Sequence, residues 1–462
     1  MSTKTLIDEN VKPSTTILTL AWPVFIEQVL STLVYAVDAA MVGSLGAVAT
    51  ASVSISGTPM MLINGIIMSF GMGFTALIAR KVGARDFEGA RSLIRQALTT
   101  VVIMGIPLAI LSYMLSEPIP RWMGAEPDVL VLAAAYNKII ALGMFARVLT
   151  MLLTSIYRGY GDTKTPMIIN TAVNVANVFG NYLLIYPTHD VTVFGNTFTI
   201  WGAGWGVQGA AASTTGTVII GALVILGLTF FRKSDLKISL NENFRLIKSD
   251  MISVTKVGLP MLFERVTMGT AAIIIATIVA SLGTIAIASN SLSGQIESFC
   301  FMPGFAFSAA STTLVGQSLG AKRVDMAENY VRTTIKIAAL TMLVASSFMF
   351  VFSSNLIVLF TRDKEVIKIG GELVKILAVI QVPFVISMIH GGALRGAGDT
   401  KSSFYITLIS MWGVRVLGSL ICVKLFGFGI HSVVICMSTD NVFRALLFWL
   451  RYRQGGWKTI RI

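Results

Sequence analysis

Charge is what this 462-residue chain has least of: Asp, Glu, Lys and Arg together make up 13% of it, while 54% is hydrophobic. A soluble domain is typically about 25% charged, so a water-exposed globule is excluded. Cysteine is scarce too. Cys300, Cys422 and Cys436 lie inside apolar runs without metal-ligand spacing, and they read as core residues. His189, His390 and His431 are scattered and form no cluster. No nucleotide-binding loop is present: GYGD at 159–162 lacks the spaced glycines and the Gly-Lys-Ser/Thr ending of a P-loop. The chain therefore reads as no enzyme and needs no cofactor. Any pumping it performs must run on an ion gradient.

What the chain does have is apolar blocks of membrane-spanning length, about 20 residues or more, separated by short polar joints. The expected fold is an all-α polytopic membrane protein, since a β-barrel would show short alternating segments. Twelve spans are expected, near 15–42, 52–78, 93–115, 129–156, 166–187, 205–231, 252–280, 286–314, 332–360, 368–393, 403–425 and 427–450. The polar start, MSTKTLIDENVKPSTT, has no cleavage site behind it, so the first helix is expected to be retained. The net charge of +13 might point to nucleic acid, but its distribution points to the bilayer. With the N-terminus inside, Arg80, Lys81, Arg85, Arg158, Lys164, Lys322, Arg395 and Lys401 all fall inside, and few basic residues fall outside. That is the positive-inside pattern. It places both termini in the cytoplasm, and the expected location is the plasma membrane of a prokaryote.

The chain is also written twice. Pro23 and Glu27 recur as Pro260 and Glu264, Gly83-Ala84-Arg85 as Gly320-Ala321-Lys322, and RGYGDTK at 158–164 as RGAGDTK at 395–401. The offset is 237 each time (260 − 23). Six spans per copy give two pseudo-symmetric lobes of the same orientation, related by an axis along the membrane normal. The expected division is an N-lobe at 1–231, a cytoplasmic linker at 232–251 and a C-lobe at 252–462. Such lobes enclose a central cleft, and rocking exposes it to each side in turn.

Against this background one carboxylate stands out. Asp38 sits in STLVYAVDAAMVGSLG, at 31–46, inside the first span. An ionised carboxylate in hydrocarbon costs several kcal/mol, of order 2–4, unless paired, solvated or protonated. Its repeat partner is Ile275. The acid belongs to one lobe, so folding this helix does not require it. Asn177 and Asn181 in the fifth span, one turn apart, and Thr214 in the sixth fall at similar depth, as does Asn137 in the fourth. Oxygen ligands of this kind suit a hard cation such as Na⁺, with Asp38 as the one candidate metal ligand of that charge. Interhelical hydrogen bonding is the alternative for the Asn and Thr residues.

Glu27, eleven residues before Asp38 and near the same helix face, is either a lure for cationic substrate or part of a structural network, as its duplicate Glu264 suggests. Tyr35, Met60, Met61 and Asn137 join Glu27 and Glu264 as candidate substrate-binding residues; Met68 and Met72 lie on the second span with Met60 and Met61, and Met302 lies on the eighth. Flexible thioethers suit a pocket that accepts many shapes, and they are also ordinary core residues. Arg265 and Arg415 are candidates to neutralise buried acids. The RG-x-GDTK joints read as structural, with Gly for the turn and Asp as a helix N-cap. The insertion at 188–204 alternates like a small outer hairpin with FGN as its turn.

The doubled P-x-x-x-E, GA[RK] and RG-x-GDTK motifs, with Asp38 five residues before Gly43, resemble the multidrug and toxic compound extrusion (MATE) family of the MOP flippase superfamily. The resemblance covers nearly the whole chain. It implies a secondary antiporter that expels cationic, amphipathic drugs in exchange for Na⁺ or H⁺. A monomer is expected. It also implies that Asp38, Asn177, Asn181 and Thr214 form the cation-coupling set. Where NorM-type members carry acids in the tenth and seventh spans, this chain has Phe384 and Met268. It looks closer to the DinF-like branch, whose aspartate at the position of Asn181 is absent here. A lipid-linked oligosaccharide flippase of the same superfamily is the alternative, and would need Arg or Lys inside the first, second and eighth spans. A non-transporting receptor is a further rival, with no need of a lone acid in a polar cluster.

Overall fold

The computed structural model describes residues 11–193, 196–232, 235–239 and 241–460. With no water in the hydrocarbon, each span must satisfy its own backbone, which leaves helices as the elements. The first half contains α1 (Pro13–Gly43), α2 (Ala47–Gly83), α3 (Phe87–Met114), short α4 (Pro118–Trp122), α5 (Pro127–Leu142), α6 (Met144–Tyr160) and α7 (Lys164–Ile185). A hairpin, β1 (Pro187–Val193) and β2 (Asn196–Ala203), precedes α8 (Gly206–Phe231). The second half contains α9 (Lys248–Ala280), α10 (Thr284–Gly320), α11 (Val324–Val351), short α12 (Ser353–Val358), α13 (Lys364–Val379) and α14 (Gln381–Ala397). It ends with α15 (Thr400–Leu408), α16 (Leu417–Leu420) and α17 (Ile430–Arg453). Wider π-helical turns at Ile409–Val416 and Ile421–Leu425 join α15 and α16 into one span, Thr400–Leu425.

Ten helices are long and apolar enough to cross a membrane, and two bent pairs bring the spans to twelve among the described residues. The fourth and tenth spans are these bent pairs: α5 meets α6 at 52° and α13 meets α14 at 50°. The breaks fall at Gly143 and Ile380, again 237 apart (380 − 143). A glycine stands at the first break, and Pro383 lies three residues past the second, where its ring has no N–H to donate and would clash with the Val379 carbonyl of an unbroken helix. The linker is shorter than expected, because 248–251 already form the first turn of α9. Residues 233, 234 and 240 of it, and Phe194 and Gly195 of the expected FGN turn, lie outside the described residues. The hairpin itself is present and antiparallel.

The repeat holds in the backbone. Gly46 and Gly283 have φ of 106° and 100°, Gly161 and Gly398 of 97° and 84°, and the non-glycine pair Arg85 and Lys322 of 58° and 61°. It holds in hydrogen bonds as well: Thr75 Oγ1 donates to the Ser155 carbonyl at 2.8 Å and its counterpart Thr312 to that of Gly392 at 2.9 Å. The joints are partly as expected. Glycine makes both turns, and the Asp162 carboxylate accepts from Thr165 N at 3.0 Å. Asp399 stands at the N-cap of α15 but makes no cap bond, and takes Arg451 at 2.8 Å instead. At the α2–α3 turn, Lys81 and the Gly89 N–H hold the Asp86 carboxyl below the usual carboxylate range.

The lobes are knitted together at one end only, the face carrying the basic joints. There Ile17, Leu20, Ala21 and Val24 of α1 pack into a core shared with α10, α11, α14 and α17. In return Val254 and Val257 of α9 pack into the core of α2, α3, α6 and α8. At the opposite face, where the hairpin lies, each half has its own separate core. All inter-lobe hydrogen bonds among the described residues sit in the basic half. Arg80 donates to the Ala397 carbonyl at 2.8 Å, Thr313 to that of Arg158 at 2.9 Å, and Gln317 to those of Gly159 and Tyr160 at 3.0 Å. Backbones touch here. A Cβ on Gly83 would lie 1.9 Å from the Gln317 carbonyl oxygen, and one on Gly320 would lie 2.1 Å from that of Arg80. The cleft is sealed at the basic face and open toward the hairpin face.

Candidate ion and substrate site

Four asparagines on α7 recur at spacings of four, three and four: Asn170, Asn174, Asn177 and Asn181. That rhythm puts them on one helix face, and α1 lies against it. Asn170 Nδ2 donates to Glu27 Oε1 at 2.7 Å, Asn174 Nδ2 to Ser31 Oγ at 3.1 Å, and Asn181 Nδ2 to Asp38 Oδ1 at 2.7 Å. With its amide nitrogen turned toward the carboxylate, Asn177 donates to Asp38 at 3.1 and 3.2 Å and accepts from Thr214 N and Oγ1 at 3.2 Å. The result is a polar ladder from Glu27 to Asp38. Asn177 and Asn181 are buried and Asp38 is half-buried. Asn181 Oδ1 is buried without a partner, an unused oxygen beside the carboxylate.

The second lobe has no such ladder. Moving 237 residues along replaces Ser31 and Asn174 by Met268 and Met411, and Asp38 and Asn181 by Ile275 and Gly418. Only the first rung survives: Glu264 accepts from Thr407 Oγ1 at 3.1 Å and from Ser403 at 3.2 Å. Glu264 is thus held inside its own lobe and does not line the inter-lobe cavity.

That cavity, of about 220 Å³, lies between the lobes just above the seal and is lined by Glu27, Met68, Met72, Arg158, Asn170 and Phe305, among others. Glu27 pairs with Arg158 at 2.7 Å, leaving Oε2 buried and without a hydrogen bond. Arg158, expected to serve topology alone, is therefore also the counter-ion of the cavity's acid. Of the other residues expected at the substrate site, Met60 packs against the first lobe's core, and Tyr35 and Met61 are more than two-thirds exposed. Met302 is buried in α10. Asn137 is not brought to Asp38; its amide donates to the Ser116 carbonyl at 3.2 Å, at the turn between α3 and α4.

Sequence reasoning passed over three features. Asn170 and Asn174 were visible in the Asn spacing alone. Arg147, a lone base in FARVLT, donates to Asn64 Oδ1 at 3.0 Å. In the second lobe a fully buried carboxylate, Asp440, holds Arg415 at 2.7 Å and Arg444 at 2.6 Å and accepts from Ser410. Arg415 therefore neutralises a buried acid as expected, whereas Arg265 is exposed and forms no ion pair among the described residues. The signal was STDNVFR at 438–444, with Asp440 and Arg444 one turn apart. Asp440→Ala would strand the buried guanidinium of Arg444 and the partly buried one of Arg415, at a cost of about 3–5 kcal/mol. A clear fall in the thermal unfolding temperature of the purified protein is expected, and an unchanged temperature would show the network to be dispensable.

A two-lobed bundle of twelve membrane spans, closed at one face around a central cavity, defines a multi-pass membrane transporter. The MatE family model matches the chain twice, at 23–183 and 260–421, starting at the two repeat prolines, and the chain belongs to this family. Its members are transporters, not enzymes. The "Probable multidrug resistance protein NorM" of Thermotoga maritima is 28% identical over 96% of this chain and 92% of its own length. The "Uncharacterized transporter YisQ" of Bacillus subtilis is 25% identical over 96% and 94%. Among solved structures, a MATE protein in complex with MaL6 superposes with a TM-score of 0.88 at 25% identity, covering 99% of this chain and all of that one. A MOP superfamily transporter from Pyrococcus furiosus, described as having a binding pocket of reversed polarity, superposes at 0.87 with 25% identity over the full length of both.

Proposed function

We propose that the protein is a cation-coupled antiporter that exports cationic, amphipathic drugs across a prokaryotic plasma membrane by alternating access, as a monomer with both termini in the cytoplasm. The observation that carries this reading is the one-lobed ladder: a carboxylate with amide partners in the first lobe, matched by isoleucine and glycine in the second. With the basic face in the cytoplasm, the described state is outward-facing. Na⁺ or H⁺ arriving from outside would neutralise Asp38, weakening its hold on Asn181 and Asn177. Because the same α1–α7 face carries Glu27, that change reaches the cavity where substrate would sit. A ligand shifts such an equilibrium only through different affinities for its two states. Competition between ion and substrate along one ladder supplies that difference.

Relatives named as multidrug resistance proteins, among them PmpM of Pseudomonas aeruginosa, support drugs as the cargo. The acid of the cavity and its methionines support cations of variable shape. The absence of acids at Phe384 and Met268 supports coupling in the first lobe, as in the DinF-like branch. The flippase alternative is disfavoured because the cavity's one lining arginine is already paired with Glu27, leaving little to bind a pyrophosphate.

The test is ethidium efflux from a pump-deficient strain. Cells making the protein are expected to extrude the dye, and to do so under a Na⁺ or a pH gradient when each is imposed alone. Extrusion no faster than in cells lacking the protein, under either gradient, would overturn the reading.

A further inference from the structure

A second concavity lies outside the transport path, at the basic face of the second lobe. This groove, of about 410 Å³, is lined by Lys248, Lys256 and Lys401 together with Met251, Ile252 and Leu259, among others. All three lysines are exposed, and none forms an ion pair among the described residues. The acid in the same turn, Asp250, is engaged elsewhere, accepting from Gln96 Nε2 at 2.7 Å. Apolar surface continues from the groove along α9 and α15. Leu259 and Phe263, one turn apart, are 41% and 51% exposed, Tyr405 is 56% exposed, and the rings of Phe263 and Phe404 lie 6.2 Å apart.

Topology alone does not account for this. The positive-inside rule asks for basic residues in a joint, not for three to converge on an apolar hollow. The repeat offers an internal control. In the first lobe the corresponding positions are Val11, Thr19 and Lys164, so only one of the three lysines is shared. The trio belongs to the second lobe, as Asp38 belongs to the first.

We infer that this groove is a binding site for an anionic phospholipid. The lysines would hold the phosphate-bearing headgroup at the membrane surface, and the strip from Leu259 to Phe263 and Tyr405 would take an acyl chain. Charge complementarity with open apolar surface favours a lipid over a soluble anion, which has no use for the strip. The occupant would sit against α9, whose first turns are packed into the first lobe's core. Bound lipid is therefore placed to bias the closed state of the basic face.

Native mass spectrometry of the full-length protein, titrated with short-chain phosphatidylglycerol, tests this. Phosphatidylglycerol is expected to bind, phosphatidylcholine of the same chain length to bind far more weakly, and glycerol 3-phosphate not to compete. K248Q/K256Q/K401Q should lose affinity roughly 10- to 100-fold, from three near-surface charges. K248R/K256R/K401R should keep it, and K12Q/K164Q/K237Q, which removes as much charge elsewhere, should match the wild type. The inference fails if the first triple variant binds as the wild type does, if the distant triple variant loses as much, or if glycerol 3-phosphate competes as well as the lipid.

Discussion

Asp38→Asn is expected to reduce ethidium extrusion to the level of cells without the protein, while expression and monodispersity stay normal. The substitution is nearly isosteric and keeps an oxygen to accept from Asn181, so the α1–α7 contact has no reason to come apart. It removes only the charge that a proton or Na⁺ would neutralise. Asn181→Ala should be milder, because Asn177 still faces the carboxylate from the same helix. Ser31→Ala, which removes a neutral rung, should cost about 1 kcal/mol or less and leave transport measurable. A gradation from Asp38 through Asn181 to Ser31 separates a coupling site from a merely structural ladder. Equal losses at all three would favour structure.

The second large effect is conformational. Gly83→Ala would drive a Cβ to 1.9 Å from the Gln317 carbonyl oxygen, a backbone atom that cannot turn aside. Overpacking of this kind costs roughly 1–3 kcal/mol, and every 1.4 kcal/mol changes a ratio of states about tenfold. Because the clash exists only while α2 and α10 touch, the cost falls on the state closed at the basic face. Spin labels at Glu88→Cys and Asp325→Cys, exposed and equivalent in the repeat, would report it once Cys300, Cys422 and Cys436 are replaced by serine. The wild type should give a short separation, and Gly83→Ala a longer, broader one with slower efflux. An unchanged distribution would mean that the contact does not hold the face shut.

Much of the architecture was legible because the bilayer simplifies the problem: apolar length gives a span, basic joints give a side, and the offset of 237 gives the lobes. The bends at Gly143 and Ile380 left only local marks, the glycine itself and Pro383 three residues past the isoleucine, and neither mark gives an angle. The exchange of helix ends between cores was not legible, because Ile17 and Val254 look apolar whichever lobe they face. At the site, Asp38, Asn177, Asn181 and Thr214 do come together, since residues at one depth on adjacent helices have few other places to go. Asn137 shows the limit of that argument. Depth says nothing about rotation, and its amide points to the Ser116 carbonyl. Arg158 shows another: a basic residue near a joint satisfies the charge rule and is free to pair with a cavity acid as well. The methionines divide for the same reason as Asn137, Met68 and Met72 facing the cavity while Met60 faces the core.

The account rests on coupling through Asp38 in one lobe. Proteoliposomes loaded with ethidium, with Na⁺ and pH gradients imposed one at a time, test this most directly. For the wild type, an inward gradient of the coupling ion should speed dye release, and its removal should slow it. For Asp38→Asn neither gradient should have an effect. Gradient-driven release that survives in Asp38→Asn would place the coupling elsewhere and contradict the account.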